Sequence, residues 1–165
     1  MNMTKPPIRL RPANMDDARL LWEWRNDPAT RRWFLNSDEV PWEAHQKWLA
    51  ATLDDNNQVI YIAENQDGEP IGQARFSVSG EEAEIHVSVG TARRGQGLGT
   101  TLIATACVRL VEERPQVERV VAKVLVTNAA STAAFRRAGF RRAKKVTVHG
   151  LRAHLLVLRS RREKA

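Results

Sequence analysis

A glycine-rich turn is the segment of this sequence best suited to bind a ligand. Gly95, Gly97 and Gly99 alternate with other residues directly after Arg93 and Arg94. Glycine lets a backbone approach a ligand closely and adopt positive φ, and the free N–H groups that open a helix attract an anion. The pattern therefore predicts a cradle for a pyrophosphate. It is not a P-loop, because no Gly-Lys-Ser/Thr follows, and its glycine spacing is not the dinucleotide fingerprint. A flexible basic turn is the alternative.

Two titratable side chains precede this turn. Glu84 and His86 are two residues apart in an alternating run, so they share one face of a strand. Either could act as a general base, directly or through water. Histidine titrates near neutrality without help, whereas a glutamate needs burial to raise its pKa. The alternative for each is a solvated strand residue or a structural partner.

Hydrophobic spacing, capping residues and breakers predict the elements that position these groups, in the order β-α-α-β-β-β-α-β-α-β-β. The three closely spaced strands in the middle of the chain indicate an antiparallel meander. Together the elements predict a mixed α/β sheet packed by helices. Strands are expected at 8–11, 59–63, 70–78, 82–89, 117–126, 140–148 and 152–158, and helices at 14–26, 41–53, 100–113 and 128–138.

Length and composition bound the class of protein. The chain has 165 residues, 42% of them hydrophobic, which fits one globular domain. Its single cysteine, Cys107, excludes an internal disulfide or a cysteine-cluster metal site, and it is expected to pack as a small hydrophobe in a helix. No signal peptide and no apolar run of ~18 residues is visible, so we expect a cytoplasmic protein with no membrane contact. The net charge is +7, and the basic excess lies in the second half, which suits a polyanionic partner.

Two motifs carry a family resemblance. The run Arg94-Gly95-Gln96-Gly97-Leu98-Gly99 resembles the coenzyme A loop, Arg/Gln-x-x-Gly-x-Gly/Ala, of the GNAT N-acetyltransferases. The segment from Asn128 to Phe140 resembles the second signature of that family, Asn-x-x-Ser/Ala followed by an aromatic residue and Gly-Phe. Both stand in the family's order, and the predicted elements match over essentially the whole chain. The sequence is therefore identified as a GNAT member.

The resemblance implies one GNAT domain over residues 1–165, in which about 159–165 form a basic tail. It implies a mostly antiparallel, splayed sheet of about seven strands with about four helices. The implied activity is N-acetyl transfer from acetyl-CoA to a primary amine, with the pantetheine arm lying in the splay of the sheet. The motifs near the loop contain no plausible nucleophile, so we expect direct transfer in a ternary complex. The cofactor-binding positions it implies are Val87, Val89, Arg94, Gly95, Gln96, Gly97, Gly99, Thr100, Asn128, Ser131 and Phe135.

The group that protonates the leaving thiolate departs from the family pattern. Many members have tyrosine where this chain has Phe135, which cannot donate a proton. Ser131, one helical turn earlier, is the nearest hydroxyl and the candidate acid. The alternatives are a Ser131 hydroxyl bonded to a backbone carbonyl, or a thiolate that leaves without any side-chain acid.

The acceptor is expected to contact the tryptophan-rich first half. The segments Trp24-Arg25-Asn26 and Arg32-Trp33-Phe34-Leu35, with His45, resemble the nucleotide-aminosugar N-acetyltransferases of the pseudaminic-acid type. That resemblance implies substrate contacts for Arg25, Phe34, Leu35 and His45, although Leu35 replaces the usual aromatic residue. A protein N-terminus, an antibiotic, an amino acid or a polyamine is the alternative acceptor, and core packing is the alternative for any single tryptophan.

A different class of function also fits part of the composition. Basic residues crowd residues 136–145 and the C-terminal tail, as in nucleic-acid-binding modules. No helix-turn-helix, zinc-finger or RNP pattern accompanies them. A protein that binds acetyl-CoA without catalysis is the other alternative, given Phe135. The expected partners remain acetyl-CoA and a small amine, with no metal, and the protein is expected to be a monomer or a homodimer.

Overall fold

The computed structural model describes residues 8–90, 93, 95 and 97–160. Within these residues the protein is a mixed α/β fold with seven strands and five helices. The strands are β1 (Arg9–Pro12), β2 (Gln58–Glu64), β3 (Pro70–Ser79), β4 (Glu82–Val89), β5 (Arg119–Leu125), β6 (Arg141–Val148) and β7 (Leu151–Arg159). The helices are α1 (Ala18–Asn26), α2 (Pro28–Arg31), α3 (Trp42–Asp54), α4 (Leu98–Glu113) and α5 (Ala129–Arg137).

The sequence predicts this architecture. The boundaries differ by a residue or two, except that α1 begins at Ala18 and not at residue 14, because a 3-10 turn at Met15–Asp17 comes first. The short helix α2 is the element that it missed. The Asp27 side chain accepts a hydrogen bond from the Ala29 N–H, 2.9 Å away, and Pro28 occupies the first helical position. The Asp-Pro pair that ends α1 thus also starts a new helix, because proline is well tolerated in a first turn.

One sheet contains all seven strands, in the order β1-β2-β3-β4-β5-β7-β6. Every neighbouring pair is antiparallel except β4 and β5, which run parallel. The parallel ladder contains only the pairs Glu82–Arg119, Ala83–Val120 and Glu84–Val121. Since β4 continues to Val89 and β5 to Leu125, the two strands separate beyond this ladder and leave a wedge that opens toward their C-terminal ends.

The sheet buries a different core on each face. Tyr61, Phe76 and Leu102 lie at 2% exposure or less in the larger core, beneath α4 and α5. Ile62 and Leu49 are fully buried in the smaller core, beneath α1 and α3. Alternation along β2 sends neighbouring side chains to opposite cores. Among the described residues, no helix is long and apolar enough to cross a membrane.

Candidate active site

The glycine turn closes onto the first turn of α4, beside the wedge. Gly97 is the N-cap residue of α4 and has φ 72°, and Gly95 has φ 79°. A Cβ at either position would meet nothing within 4 Å, so glycine is needed for the backbone conformation and not for lack of space. The Gly97 cap supplies no side-chain hydrogen bond to α4, which leaves the opening N–H groups available to an anion.

The other predicted cofactor-binding positions of this loop fall into two groups. Some lie outside the described residues, and the others pack against the fold. Arg94 and Gln96 lie outside the described residues. Gly99 faces α5, where its added Cβ would stand 3.8 Å from the Ala134 Cβ, so the two helices approach closely there. Thr100 is 6% exposed, in the first turn of α4.

The wedge is bordered on one side by the end of β4. Val87 and Val89 are half-buried and pair with Ala74 and Gly72 of β3. Within the described residues, β4 has no ladder partner on its β5 side after Glu84. Backbone groups on that side are therefore free to bond a ligand that lies along the strand.

The start of α5 faces the same end of the sheet. The Asn128 side chain caps α5 by accepting a hydrogen bond from the Ser131 N–H, at 3.2 Å. Thr132 donates its hydroxyl to the Asn128 carbonyl at 3.1 Å. The half-buried Ser131 hydroxyl, in contrast, makes no hydrogen bond to the described residues, so the backbone-bonded alternative is not what the structure shows.

Phe135 has a packing role. Its side chain is 3% exposed and meets Phe140 edge-on, with ring centroids 5.0 Å apart. Both rings belong to the larger core. A contact between Phe135 and a cofactor stays a prediction.

The two candidate bases lie together on the other face of β4. Ala83 and Ile85 point into the larger core, so the residues that alternate with them face the side of α1 and α3. The Glu84 Oε1 lies 3.7 Å from the His86 Nε2 and 3.6 Å from the Lys123 Nζ of β5. The Glu84 side chain is 28% exposed and the His86 side chain 42%.

The charges around His86 favour its neutral form. Partial burial lowers the pKa of the imidazole below its usual 6.5, and the positive charges of Arg75 and Lys123 lower it further. His86 is therefore uncharged at neutral pH, as a candidate general base must be, and the Glu84 side chain lies beside it.

Arg25 and Phe34, two of the residues predicted to bind the acceptor, contact each other. The guanidinium carbon of Arg25 lies 4.6 Å from the Phe34 ring centroid. Its Nη2 donates to the Asn36 carbonyl at 2.9 Å, while its buried Nη1 has no partner among the described residues. Burial and the nearby Arg31 lower the pKa of Arg25, with Asp38 acting in the opposite sense.

The other two predicted acceptor residues are placed differently. Leu35 is half-buried in the segment after α2. His45 is 3% exposed, and its Nε2 lies 3.0 Å from the Ala18 carbonyl, which joins α3 to α1. Its ring also packs between Trp42 and Trp48. The structure thus gives His45 a packing role, and its contact with substrate stays a prediction.

Sequence reasoning missed two cations that flank the candidate bases. Arg75 of β3 stands opposite His86 in the sheet register. Lys123 is the charged residue within the otherwise apolar run of β5 after Arg119. A charge inside an apolar strand is a signal that could have pointed to Lys123. Arg75 carries no such signal, because its strand alternates polar and apolar residues throughout.

Known proteins match both the sequence and the fold. The family model described as an acetyltransferase (GNAT) domain matches residues 8–141. The aminoglycoside N(6′)-acetyltransferases type 1 of Klebsiella pneumoniae and Serratia marcescens are each 28% identical over 156 residues, covering 85% of this chain and 77% of theirs.

Solved structures of acetyltransferases superpose on the fold of this chain. The structure of AAC(6′)-Ib with ribostamycin and coenzyme A is 26% identical with a TM-score of 0.79, over 92% of this chain and 93% of that one. The spermidine N-acetyltransferase of Vibrio cholerae, with CoA and spermine, superposes with a TM-score of 0.83 over 92% and 95% of the chains, and at 15% identity it shows the fold alone. The chain belongs to the GNAT acetyltransferase family, and it is an acetyl-CoA-dependent N-acetyltransferase that acts on an amine.

Proposed function

We propose that the protein binds acetyl-CoA between β4 and β5 and acetylates the primary amine of a nucleotide-linked aminosugar. The observation that carries the coenzyme site is the conjunction of the wedge with the N-terminus of α4. The left-handed Gly97 leaves the first N–H groups of that helix without a side-chain cap. A pyrophosphate fits this end because backbone donors and the helix dipole both favour an anion there.

The chain's residues then have separate tasks. Bound acetyl-CoA supplies an acetyl group activated as a thioester. His86, neutral at working pH, accepts the proton of the amine, directly or through water shared with Glu84, whose oxygen lies 3.7 Å away. The Ser131 hydroxyl, which has no partner in the described part of the chain, protonates the departing sulfur.

Transfer proceeds directly, without an acetylated enzyme. The single cysteine, Cys107, is 3% exposed within α4, and burial raises the pKa of its thiol to about 12. Since the thiolate is the nucleophilic form, this thiol is inert at neutral pH. A thiol of this kind suits a reducing cytoplasm, which is the compartment we propose.

A nucleotide-linked aminosugar fits the acceptor side better than an aminoglycoside. Arg25 stacks on Phe34 and keeps a buried donor unfilled, and a guanidinium fork pairs well with phosphate. An aminoglycoside is the second candidate, because the relatives at 28% identity carry that name. A polycation would, however, face the positive charge of Arg25, whose Nη1 has no partner among the described residues.

Two measurements test the proposal. Calorimetric titration with acetyl-CoA, and with coenzyme A in parallel, should give micromolar binding, and no binding at millimolar ligand would contradict the coenzyme site. Steady-state kinetics on a panel of UDP-linked aminosugars, kanamycin and spermidine should then give the highest kcat/KM for a UDP-linked aminosugar. Preference for kanamycin would replace the acceptor with the second candidate.

A further inference from the structure

Arg75 is a cation whose charge is not paired by a hydrogen bond or an ion pair within the described residues. It lies half-buried in the middle of β3, between Ile60 of β2 and His86 of β4. Among the described residues it donates no hydrogen bond and forms no ion pair. Its guanidinium carbon lies 5.3 Å from the ring centroid of Trp48, so the α3 ring covers one face of the group. A ring face supports a guanidinium plane but leaves its in-plane N–H donors for another ligand.

The guanidinium can be reached from outside. Arg75 lines a cleft of about 220 Å³ beneath the C-terminal half of α3, next to Trp48 and Gln58. Asp55 supplies the carboxylate in this lining, and its Oδ1 accepts a hydrogen bond from the Asn57 N–H at 2.9 Å. The Asp55 carboxylate forms no ion pair with Arg75, so the acidic side chain of the cleft lining does not neutralise the guanidinium.

A second arginine increases the need for an anion. Loss of water lowers the pKa of Arg75, the carboxylate of Glu84 offsets part of this, and the charge of Arg25 lowers it further. Arg25 has its own unpartnered Nη1, buried on the same side of the sheet. Two partly dehydrated guanidinium groups within electrostatic reach of each other are costly unless an anion compensates them.

We propose that Arg75, together with Arg25, binds an anionic group of the acceptor, and that the enzyme thereby selects acceptors that carry a phosphate or carboxylate near the reactive amine. The fork of an arginine matches both anions in a bidentate geometry. Directly opposite residues of antiparallel strands have Cβ atoms about 5 Å apart. An anion held by Arg75 therefore places the rest of the acceptor next to His86, its cross-strand partner. This inference rests on the proposed function, since it names a specificity determinant of the same acceptor site.

The test measures anion binding to protein saturated with coenzyme A, so that the N-terminus of α4 is already filled. Inorganic pyrophosphate and succinate serve as the phosphate and carboxylate probes in calorimetric titrations. We expect the wild-type protein to bind one of them, and the preferred probe identifies the chemistry. Arg75→Gln should weaken that binding at least tenfold, and Arg75→Lys should weaken it less. Arg152→Gln, at an exposed position on β7, is the matched control and should bind as the wild type does.

Kinetics separate this role from two others. Arg75→Gln should raise KM for the acceptor while KM for acetyl-CoA is unchanged. If Arg75 only supported Trp48, the substitution would lower the melting temperature and leave anion affinity unchanged. If Arg75 only kept His86 neutral, the substitution would shift the pH profile and leave KM for the acceptor unchanged. Unchanged anion binding in Arg75→Gln, or no binding of either probe by the wild type, would overturn the inference. Failure of the wild type to bind acetyl-CoA would instead overturn the proposed function.

Discussion

The coenzyme side and the acceptor side of this enzyme are built from different parts of the chain. The wedge and the start of α4 offer backbone N–H and C=O groups, placed by the positive φ of Gly97 and by the short β4–β5 ladder. The proposed acceptor side offers side chains, chiefly Arg25, Phe34 and Arg75. A backbone site survives most substitutions, whereas a side-chain site changes with one.

The largest effect is expected from a substitution at a glycine whose positive φ the proposed backbone site requires. Gly97→Glu introduces a carboxylate where the helix attracts an anion and strains a residue at φ 72°. We expect acetyl-CoA affinity to fall by more than about 100-fold, which corresponds to about 2.7 kcal/mol. Calorimetry measures the loss. Gly150→Glu is the control, because Gly150 has φ 75° and equally open surroundings in the β6–β7 turn. Equal loss in both variants would contradict the assignment.

Substitutions of the two candidate bases should affect catalysis and leave coenzyme binding unchanged. Glu84→Gln and His86→Asn should each lower kcat by up to about 100-fold, because general-base catalysis contributes on that order. Acetyl-CoA affinity should not change, since neither side chain belongs to the helix terminus. Fixed-time assays of acetyl transfer measure kcat, and calorimetry measures the affinity for acetyl-CoA. Full activity in both variants would leave the proton transfer to water alone.

Ser131 belongs to the coenzyme side but acts there through its side chain. Ser131→Ala should lower kcat by about tenfold, since a thiolate can leave without help but leaves faster when protonated. Thr132→Ala is the matched control, because the Thr132 hydroxyl is already bonded to the Asn128 carbonyl. A thermal melt for each variant separates catalysis from helix stability. Equal losses of kcat would assign the effect to α5 as a helix.

Lys123 should produce the smallest effect, a shift in pH. The neutral form of His86 is the active one, so activity falls as pH drops through a pKa that lies below 6.5. Lys123→Gln removes a cation that lowers this pKa, while Arg75 and Glu84 stay in place. The acidic limb of the kcat profile should therefore move to higher pH, by less than about one unit. Lys144→Gln, at an exposed position on β6, should leave the limb unmoved.

The fold was accessible from the sequence because its signals are local. Alternation predicts the strands, glycine spacing predicts the start of α4, and only the restart of the helix at Pro28 was missed. The acceptor side depends on how elements pack together. His45 follows a helical stripe that the sequence cannot orient, and the structure turns it toward the Ala18 carbonyl. Arg75 is one polar residue among several on β3, and its lack of a partner appears only once α3 lies above it.

The buried thiol of Cys107 is a natural reporter of the local opening of α4. A thiol that is 3% exposed inside α4 reacts with an alkylating reagent only in molecules whose helix has come away from the sheet. The rate of modification is then a measure of how often that happens. We expect a ligand bound at the N-terminus of α4 to stabilise the packed helix and to slow the reaction. The rate at which Cys107 is alkylated would thus report occupancy of the proposed coenzyme site without any engineered label.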